Sequence, residues 1–276
     1  MDYGILYICP TPIGNLEDIT LRTIKVLNEV DIIAAEDTRH TLKLLNHYNI
    51  KKPLISYHEH NKMAAGEKIL EEIKKGKNIA LVTDAGMPGI SDPGEDIIKR
   101  CIEENIKIVA LPGPTAFVLA LVISGLSTGS FVFEGFLPSK GKERKDRLHR
   151  LKDETRTIVL YEAPHRIISL LKDMLETLGN RKIAICRELT KIHEEIFRGT
   201  ILEAVEKFEV QSPKGEFVLV IEGTENTEEK SFDHISIKEH IKMYMDEGLS
   251  KKESIKKVAK ERDIPKNQVY REGIDL

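Results

Sequence analysis

Three loops dense in glycine and proline hold the residue types best suited to chemistry: Pro10-Thr11-Pro12-Ile13-Gly14-Asn15-Leu16, Asp84-Ala85-Gly86-Met87-Pro88-Gly89-Ile90-Ser91-Asp92-Pro93-Gly94 and Pro112-Gly113-Pro114-Thr115. Glycine lets a ligand approach the backbone closely and proline fixes the path of a loop, so together they describe a rigid small-molecule cleft. The second loop has eleven residues, long for a strand-to-helix connection, where about 2–6 are usual. Nucleotide signatures do not fit. No G-x-G-x-x-G follows the first apolar run, and the stretch from Gly135 to Glu143 fails the phosphate-binding P-loop pattern twice. It has one spacer residue too many before Gly141-Lys142, and Glu143 stands where Ser or Thr would hold Mg²⁺. His58 and His60 stand without a third ligand in a metal-binding spacing, and no H-E-x-x-H occurs, so no metal site is expected.

The elements that must position these loops follow from the apolar pattern. Strands are expected at Leu6–Cys9, Asp31–Ala35, Leu54–Tyr57, Ile79–Thr83 and Ile106–Leu111. Helices are expected between them at Thr20–Glu29, Thr38–Tyr48, Lys62–Lys75, Gly94–Glu104 and Thr115–Gly125. Continuous apolar strands alternating with helices mean a parallel sheet covered on both faces, and ligands bind outside the carboxyl ends of such strands. All three Gly/Pro loops fall at that edge. After Gly125–Ser130 the rhythm changes to strands at Phe131–Phe136, Thr157–Tyr161, Lys182–Arg187, Glu195–Gly199 and Phe217–Glu222, with one clear helix at Arg166–Leu178. A mixed sheet in a second α/β domain is expected, giving domains at 1–125 and 126–223. The polar stretch 224–231 reads as a linker. Beyond it, Ser236-Ile-Lys-Glu239 and Ser250-Lys-Lys-Glu253 match the capping box. They open helices at Ile237–Glu247 and Lys251–Arg262, followed by a short turn at Asn267–Tyr270. This helix-turn-helix-like appendage, 232–276, holds 10 basic and 9 acidic residues, and a solubilising tail and a nucleic-acid contact both fit it.

Composition bounds the class. The 276 residues carry a net charge of −3 and a hydrophobic fraction of 41%, and no apolar run reaches the roughly 18 residues of a spanning helix. A soluble, cytoplasmic protein without a targeting signal is expected. Cys9, Cys101 and Cys186 are odd in number and far apart, which excludes a disulfide framework. The balanced charge excludes a protein that coats nucleic acid with its whole surface, so a polyanion must meet a local patch. That patch is sought in Ser139–Lys152, where Lys140, Lys142, Arg144, Lys145, Arg147, Arg150 and Lys152 outnumber Glu143 and Asp146 by seven to two.

Five ordered motifs carry a family resemblance: Thr11-Pro-Ile-Gly-Asn-Leu-Glu-Asp-Ile-Thr20, Ala35-Glu-Asp-Thr-Arg39, the loop Asp84–Gly94, Leu111-Pro-Gly-Pro-Thr-Ala116 and Tyr161-Glu-Ala-Pro-His-Arg166. Their succession resembles the RNA-modifying branch of the tetrapyrrole methylase superfamily, the small-subunit ribosomal RNA methyltransferases, from about residue 5 to 223. The resemblance implies a two-domain α/β fold and S-adenosylmethionine as cofactor. It also implies methyl transfer to the ribose 2′-oxygen of a cytidine in the decoding region of small-subunit rRNA, on the free RNA or the assembled subunit, and a homodimer. Cofactor contacts are then expected from Pro12, Ile13 and Gly14, from Asp84, Gly86 and Met87, from Thr115 and Ala116, and from Glu162 and Ala163. Cys186–Leu189 and Lys214–Phe217 are weaker candidates. Asp84 is the leading one, because a strand-end carboxylate complements a sulfonium charge.

A ribose hydroxyl is a weak nucleophile whose proton must leave, so a base or an alkoxide-stabilising group is needed nearby. Glu36, Asp37 and Arg39 after the second strand, and His58, Glu59 and Asn61 after the third, are the candidates. RNA phosphates would meet Lys140, Lys142, Arg144, Lys145 and Arg147. Two other readings are open: a corrin or porphyrin methyltransferase of the same superfamily, and a non-catalytic RNA-binding scaffold. The second would leave the three rigid loops without a role.

Overall fold

The computed structural model describes residues 3–210, 214–224, 235–262, 264–274 and 276. They form two compact units, Met1–Gly223 and Thr224–Leu276. Ten strands and eleven helices are defined among the described residues. The expected linker 224–231 lies outside them apart from Thr224. No helix of the described residues is long and apolar enough to cross a membrane.

In the first unit, β1 (Ile5–Ile8), β2 (Ile32–Ala35), β3 (Leu54–Ser56), β4 (Ile79–Val82) and β5 (Lys107–Ala110) form an all-parallel sheet in the order β3-β2-β4-β1-β5. Its central strands are apolar throughout because each face meets a different layer. Ile32, Ala34, Ile79 and Leu81 pack with Ile69, Leu70 and Ile97 of α3 (Lys62–Lys74) and α4 (Glu95–Glu103). Their alternate neighbours Ile33, Ala35, Ala80 and Val82 pack with Val26, Leu27 and Leu45 of α1 (Leu21–Glu29) and α2 (Thr38–His47). Successive strand side chains point to opposite faces, so a strand buried on both sides must be apolar at every position.

The second sheet runs β6-β7-β10-β8-β9, from β6 (Phe131–Phe136), β7 (Thr157–Glu162), β8 (Lys182–Arg187), β9 (Glu195–Thr200) and β10 (Phe217–Ile221). Only β6 and β7 pair in parallel, so the sheet is mixed. Three helices stand in this half rather than the one read from sequence: α6 (Lys142–Arg150), α7 (Ile167–Leu178) and α8 (Ile201–Val210). α6 escapes notice because Leu148 is its only apolar residue. α8 follows β9 without a break, so its Ile201, Ala204, Val205 and Phe208 spacing reads as a continuation of apolar chain. The core on this face gathers Ile158, Leu160, Ile183, Ile185, Leu219 and Ile221 with residues of these helices.

The other face is covered from the first half of the chain. α5 (Ala116–Ile123) places Ala120 and Leu121 in one cluster with Val159, Ala184, Cys186, Val218 and Val220, joined by Ile13 from the loop after β1. The eight residues of α5 are all apolar, as suits a helix packed deep in a structure.

The C-terminal unit holds α9 (Ile237–Asp246), α10 (Lys251–Glu261) and α11 (Lys266–Glu272), the last longer than the expected turn. Both capping boxes form, Ser236 with Glu239 and Ser250 with Glu253. Ile241, Tyr244, Ile255, Val258 and Val269 make its core.

Candidate active site

The Gly/Pro loops interlock before they form any cavity. Thr11 N donates to Gly86 O at 2.9 Å and Gly86 N to Thr11 O at 3.0 Å, while the Thr11 hydroxyl donates to Thr83 O at 3.0 Å. The loops after β1 and β4 are thus tied together beyond the ends of neighbouring strands. At Gly94, φ is 153° and a Cβ would stand 2.9 Å from Gly89 N, so only glycine lets the eleven-residue loop close on itself. Gly14 marks another close approach. A Cβ there would lie 2.5 Å from Lys191 Cγ and 2.9 Å from Leu189 O, and next to it Asn15 N donates to Thr190 Oγ1 at 3.1 Å. Loops from the two sheets therefore meet directly.

Between these loops and the ends of β7, β8 and β10 lies a cleft of about 560 Å³, within the usual range for a small-molecule site. It is acidic. Glu36, Asp84, Asp92, Glu188 and Glu216 line it, and its lysine, Lys191, is bonded to Glu188 at 2.9 Å and Glu216 at 3.0 Å. Glu36 and Asp84 are cross-tied: Asp84 N donates to Glu36 Oε2 at 3.4 Å and Asp37 N to Asp84 Oδ1 at 3.2 Å. Burial pushes the Glu36 carboxyl up from its ordinary value, and the nearby Asp84 charge adds to this. Asp92 is pushed up to about 7 by burial and by the charges of Glu36, Asp84 and Glu216. Sequence reasoning missed Asp92. The signal was available, because it sits in the same loop as Asp84, but the turn that returns it to the cleft is a property of the folded loop.

Of the expected cofactor contacts, Ile13, Asp84, Gly86, Met87, Thr115, Ala116, Glu162 and Ala163 line the cleft. Pro12 and Gly14 do not. Pro12 lines a smaller cavity of about 160 Å³ together with His40, Thr41, Lys43 and Asp84, and Gly14 serves the loop contact just described. The Glu162 carboxylate is fully buried and paired with Arg166 Nε at 2.9 Å, so what it offers a ligand is backbone rather than charge. The weaker candidates Cys186, Glu188, Leu189, Glu216 and Phe217 also reach the cleft.

Among the expected bases, only Glu36 lines it. Asp37 is the N-cap of α2, taking the Arg39 amide at 2.8 Å and the Arg39 guanidinium at 2.7 and 3.1 Å. These bonds hold its carboxyl far below the usual range, which makes it a poor proton acceptor and commits Arg39 to it. Asn61 accepts from His58 N at 2.8 Å and donates to Ser56 O at 3.0 Å, so it locks the turn before α3. His58 is half-buried outside the cleft lining, and Glu59 is exposed and paired with Lys62 at 2.6 Å.

The expected RNA patch is also corrected in part. Arg144 is only 4% exposed, and it binds Asp173 at 2.5 Å and Ser139 O at 2.7 Å. A guanidinium anchored in this way between α6 and α7 cannot meet a phosphate. Arg147 pairs with Glu134 at 2.7 Å and Lys145 with Glu176 at 3.5 Å. Lys140 and Lys142 stay exposed.

Comparison with known proteins places this geometry. The family model described as tetrapyrrole (corrin/porphyrin) methylases matches residues 5–205. A protein of Bacillus subtilis named ribosomal RNA small subunit methyltransferase I is 50% identical over 273 residues, 98% of this chain and 94% of that protein. A Synechocystis protein of the same name is 46% identical over 274 residues, 99% and 98% of the two chains. Among solved structures, a cobalt precorrin-4 methyltransferase aligns with a TM-score of 0.60 at 16% identity, covering 79% of this chain and 94% of that one. The uroporphyrin-III C-methyltransferase of Thermus thermophilus gives 0.57 at 19%, with the same coverage. At such identity the solved structures show a shared fold. With the family model covering residues 5–205, the whole first sheet and four of the five strands of the second, and near-full-length relatives at about half identity, the chain belongs to the tetrapyrrole methylase family.

Proposed function

We propose that this chain transfers a methyl group from S-adenosylmethionine to the ribose 2′-oxygen of a cytidine in the decoding region of small-subunit rRNA. The observation that carries the cofactor half is the charge of the cleft: Glu36, Asp84 and Asp92 surround a cavity whose lysine is already bonded. Such a site repels polyphosphates and attracts a ligand bearing a sulfonium and an amino group. The fit extends to shape, since small residues at Gly86, Ala85, Ala116 and Ala163 leave room along the walls. The names of the relatives support the RNA half.

Bound there, S-adenosylmethionine supplies a methyl group on a positively charged sulfur. The chain supplies position and a proton acceptor. Asp84, fixed by the Asp37 amide, holds positive charge at the end of β4. The reacting oxygen must come within about 3–3.5 Å of the methyl carbon, so the tied loops contribute by not moving. Asp92 is the acceptor best matched to the 2′-hydroxyl proton, since a base works most effectively when its pKa lies near the working pH. The hydroxyl proton would pass to the Asp92 carboxylate as the oxygen–methyl bond forms and the sulfur–methyl bond breaks, its electron pair returning to sulfur so that neutral S-adenosylhomocysteine leaves.

The test is methyl transfer from labelled S-adenosylmethionine to small ribosomal subunits that lack the modification, followed by mapping of the labelled nucleotide. Label on a cytidine 2′-oxygen is the expected result. Label on a base, or on no RNA despite cofactor binding, overturns the substrate assignment and turns attention to tetrapyrroles.

A further inference from the structure

An acidic cleft poses a problem for an RNA substrate. The phosphates on either side of the reacting sugar are repelled by Glu36, Asp84 and Asp92, so a cationic surface must border the cleft and hold the strand outside it. From Thr38 to His58 the sequence has Arg39, Lys43, Lys51 and Lys52 together with His40, His47 and His58, and no Asp or Glu. This segment forms α2 and the connection into β3. Arg39, His40, Lys43 and His47 recur at spacings of three and four residues, so they share one side of the helix. All four are exposed, while Thr41, Leu44 and Leu45 are buried.

The charge on this side is available. Lys43, Lys51 and Lys52 make no ion pair among the described residues; Arg39 alone is paired, with Asp37. The surface also adjoins the cleft. α2 begins two residues after Glu36, and the cavity of about 160 Å³ at its foot shares Asp84 with the cleft. In that cavity Thr41 is 2% exposed and its hydroxyl has no hydrogen-bond partner, a cost that a polar group placed there would relieve. Beyond the end of α2, Lys51 and Lys52 line a separate cavity of about 380 Å³ with Leu42, Leu45 and Asn46.

We infer that the basic side of α2, from His40 to His47, with Lys51 and Lys52 beyond its end, binds the RNA backbone flanking the reacting nucleotide, phosphates meeting Lys43 and an adjacent ribose entering the small cavity where the Thr41 hydroxyl lacks a partner. The inference rests on RNA being the substrate. It places recognition on phosphates and sugars, which suits a chain with 5% aromatic residues.

The test compares wild type with the K43A/K51A/K52A variant, using unmodified small ribosomal subunits as the probe and titrating salt. Binding should weaken about tenfold or more, and the slope of log affinity on log salt should fall by about 2, at about 0.7 per phosphate contact on a single strand. S-adenosylhomocysteine affinity, read by calorimetry, should not change, which also certifies the fold. Unchanged subunit affinity and slope in a variant whose wild type methylates RNA would overturn the inference and leave the activity standing. A wild type that transfers methyl to no RNA removes both.

Discussion

α6 and the 38–58 segment that opens with α2 are both basic, and they use that charge differently. α6 has the higher density, yet Arg144 turns inward to Asp173, and Arg147 and Lys145 face Glu134 and Glu176. The 38–58 segment has fewer cations, but no acid follows Asp37 until Glu59, and its Lys43, Lys51 and Lys52 make no ion pair among the described residues. Counting cations favours the α6 patch even after ion pairing, since Lys140, Lys142, Arg150 and Lys152 make no ion pair among the described residues, but Glu143 and Asp146 offset them, whereas no carboxylate within 38–58 offsets Lys43, Lys51 and Lys52. A patch is defined by the carboxylates it lacks as much as by the cations it holds.

The sharpest way to break this contrast is at Arg144. Replacing it with methionine leaves Asp173 without its buried partner and should cost about 3 kcal/mol or more in urea unfolding, with no change in the salt dependence of RNA binding. Lys43→Ala should stay within about 0.5 kcal/mol of wild type in the same experiment. Equal stability losses at the two positions would erase the distinction.

The next effect concerns the acidic cleft that makes α2 necessary. Asp84→Asn should weaken S-adenosylmethionine roughly tenfold or more, as expected for loss of a charged hydrogen-bonding group, while S-adenosylhomocysteine, which lacks the sulfonium charge, should lose less. Equal losses would show that Asp84 does not read charge.

Smaller and more diagnostic is the pH response. Asp92 is raised from 3.8 to about 7, so the fold without ligand favours its neutral form and loses that advantage as pH rises through about 7. A bound sulfonium favours the ionised form. S-adenosylmethionine should therefore bind more tightly as pH rises from 5 to 8, S-adenosylhomocysteine should respond weakly, and Asp92→Asn should flatten the difference. The smallest effect is reserved for the exposed remnant of the α6 patch. K140A/K142A should change subunit affinity less than about threefold, and a larger loss than in the α2 variant would reverse the comparison.

Both sheets were legible in the sequence to within a residue or two at each strand, because strands buried on two faces, such as Ile32–Ala35 and Ile79–Val82, must be apolar without interruption. The cleft was legible at the level of loops for a similar reason: Gly14, Gly86 and the prolines around them leave their mark in composition. Individual roles were not. Asp37 reads equally well as a cap and as a base until its bonds to Arg39 are seen. Asn61 likewise shows its structural role only once its bonds to His58 N and Ser56 O are seen. Arg144 cannot be told from its neighbours in a run of cations, since what buries it is Asp173 on another helix. α5 follows the fifth strand in sequence and was assigned with it, although its partners Val159, Ala184 and Val218 come 40 to 100 residues later.

That placement of α5 bears on how the protein melts. The helix is the roof of the second sheet and is made by the first half of the chain, and Ile13 adds to the same cluster from near the N-terminus. The second sheet cannot lose its structure without uncovering α5 and Ile13, and these cannot leave without uncovering the sheet. Heat or urea should therefore unfold Met1–Gly223 in one cooperative step, and a fragment ending at Gly125 should aggregate, because its last helix would carry a bare apolar face that its missing sheet normally shields.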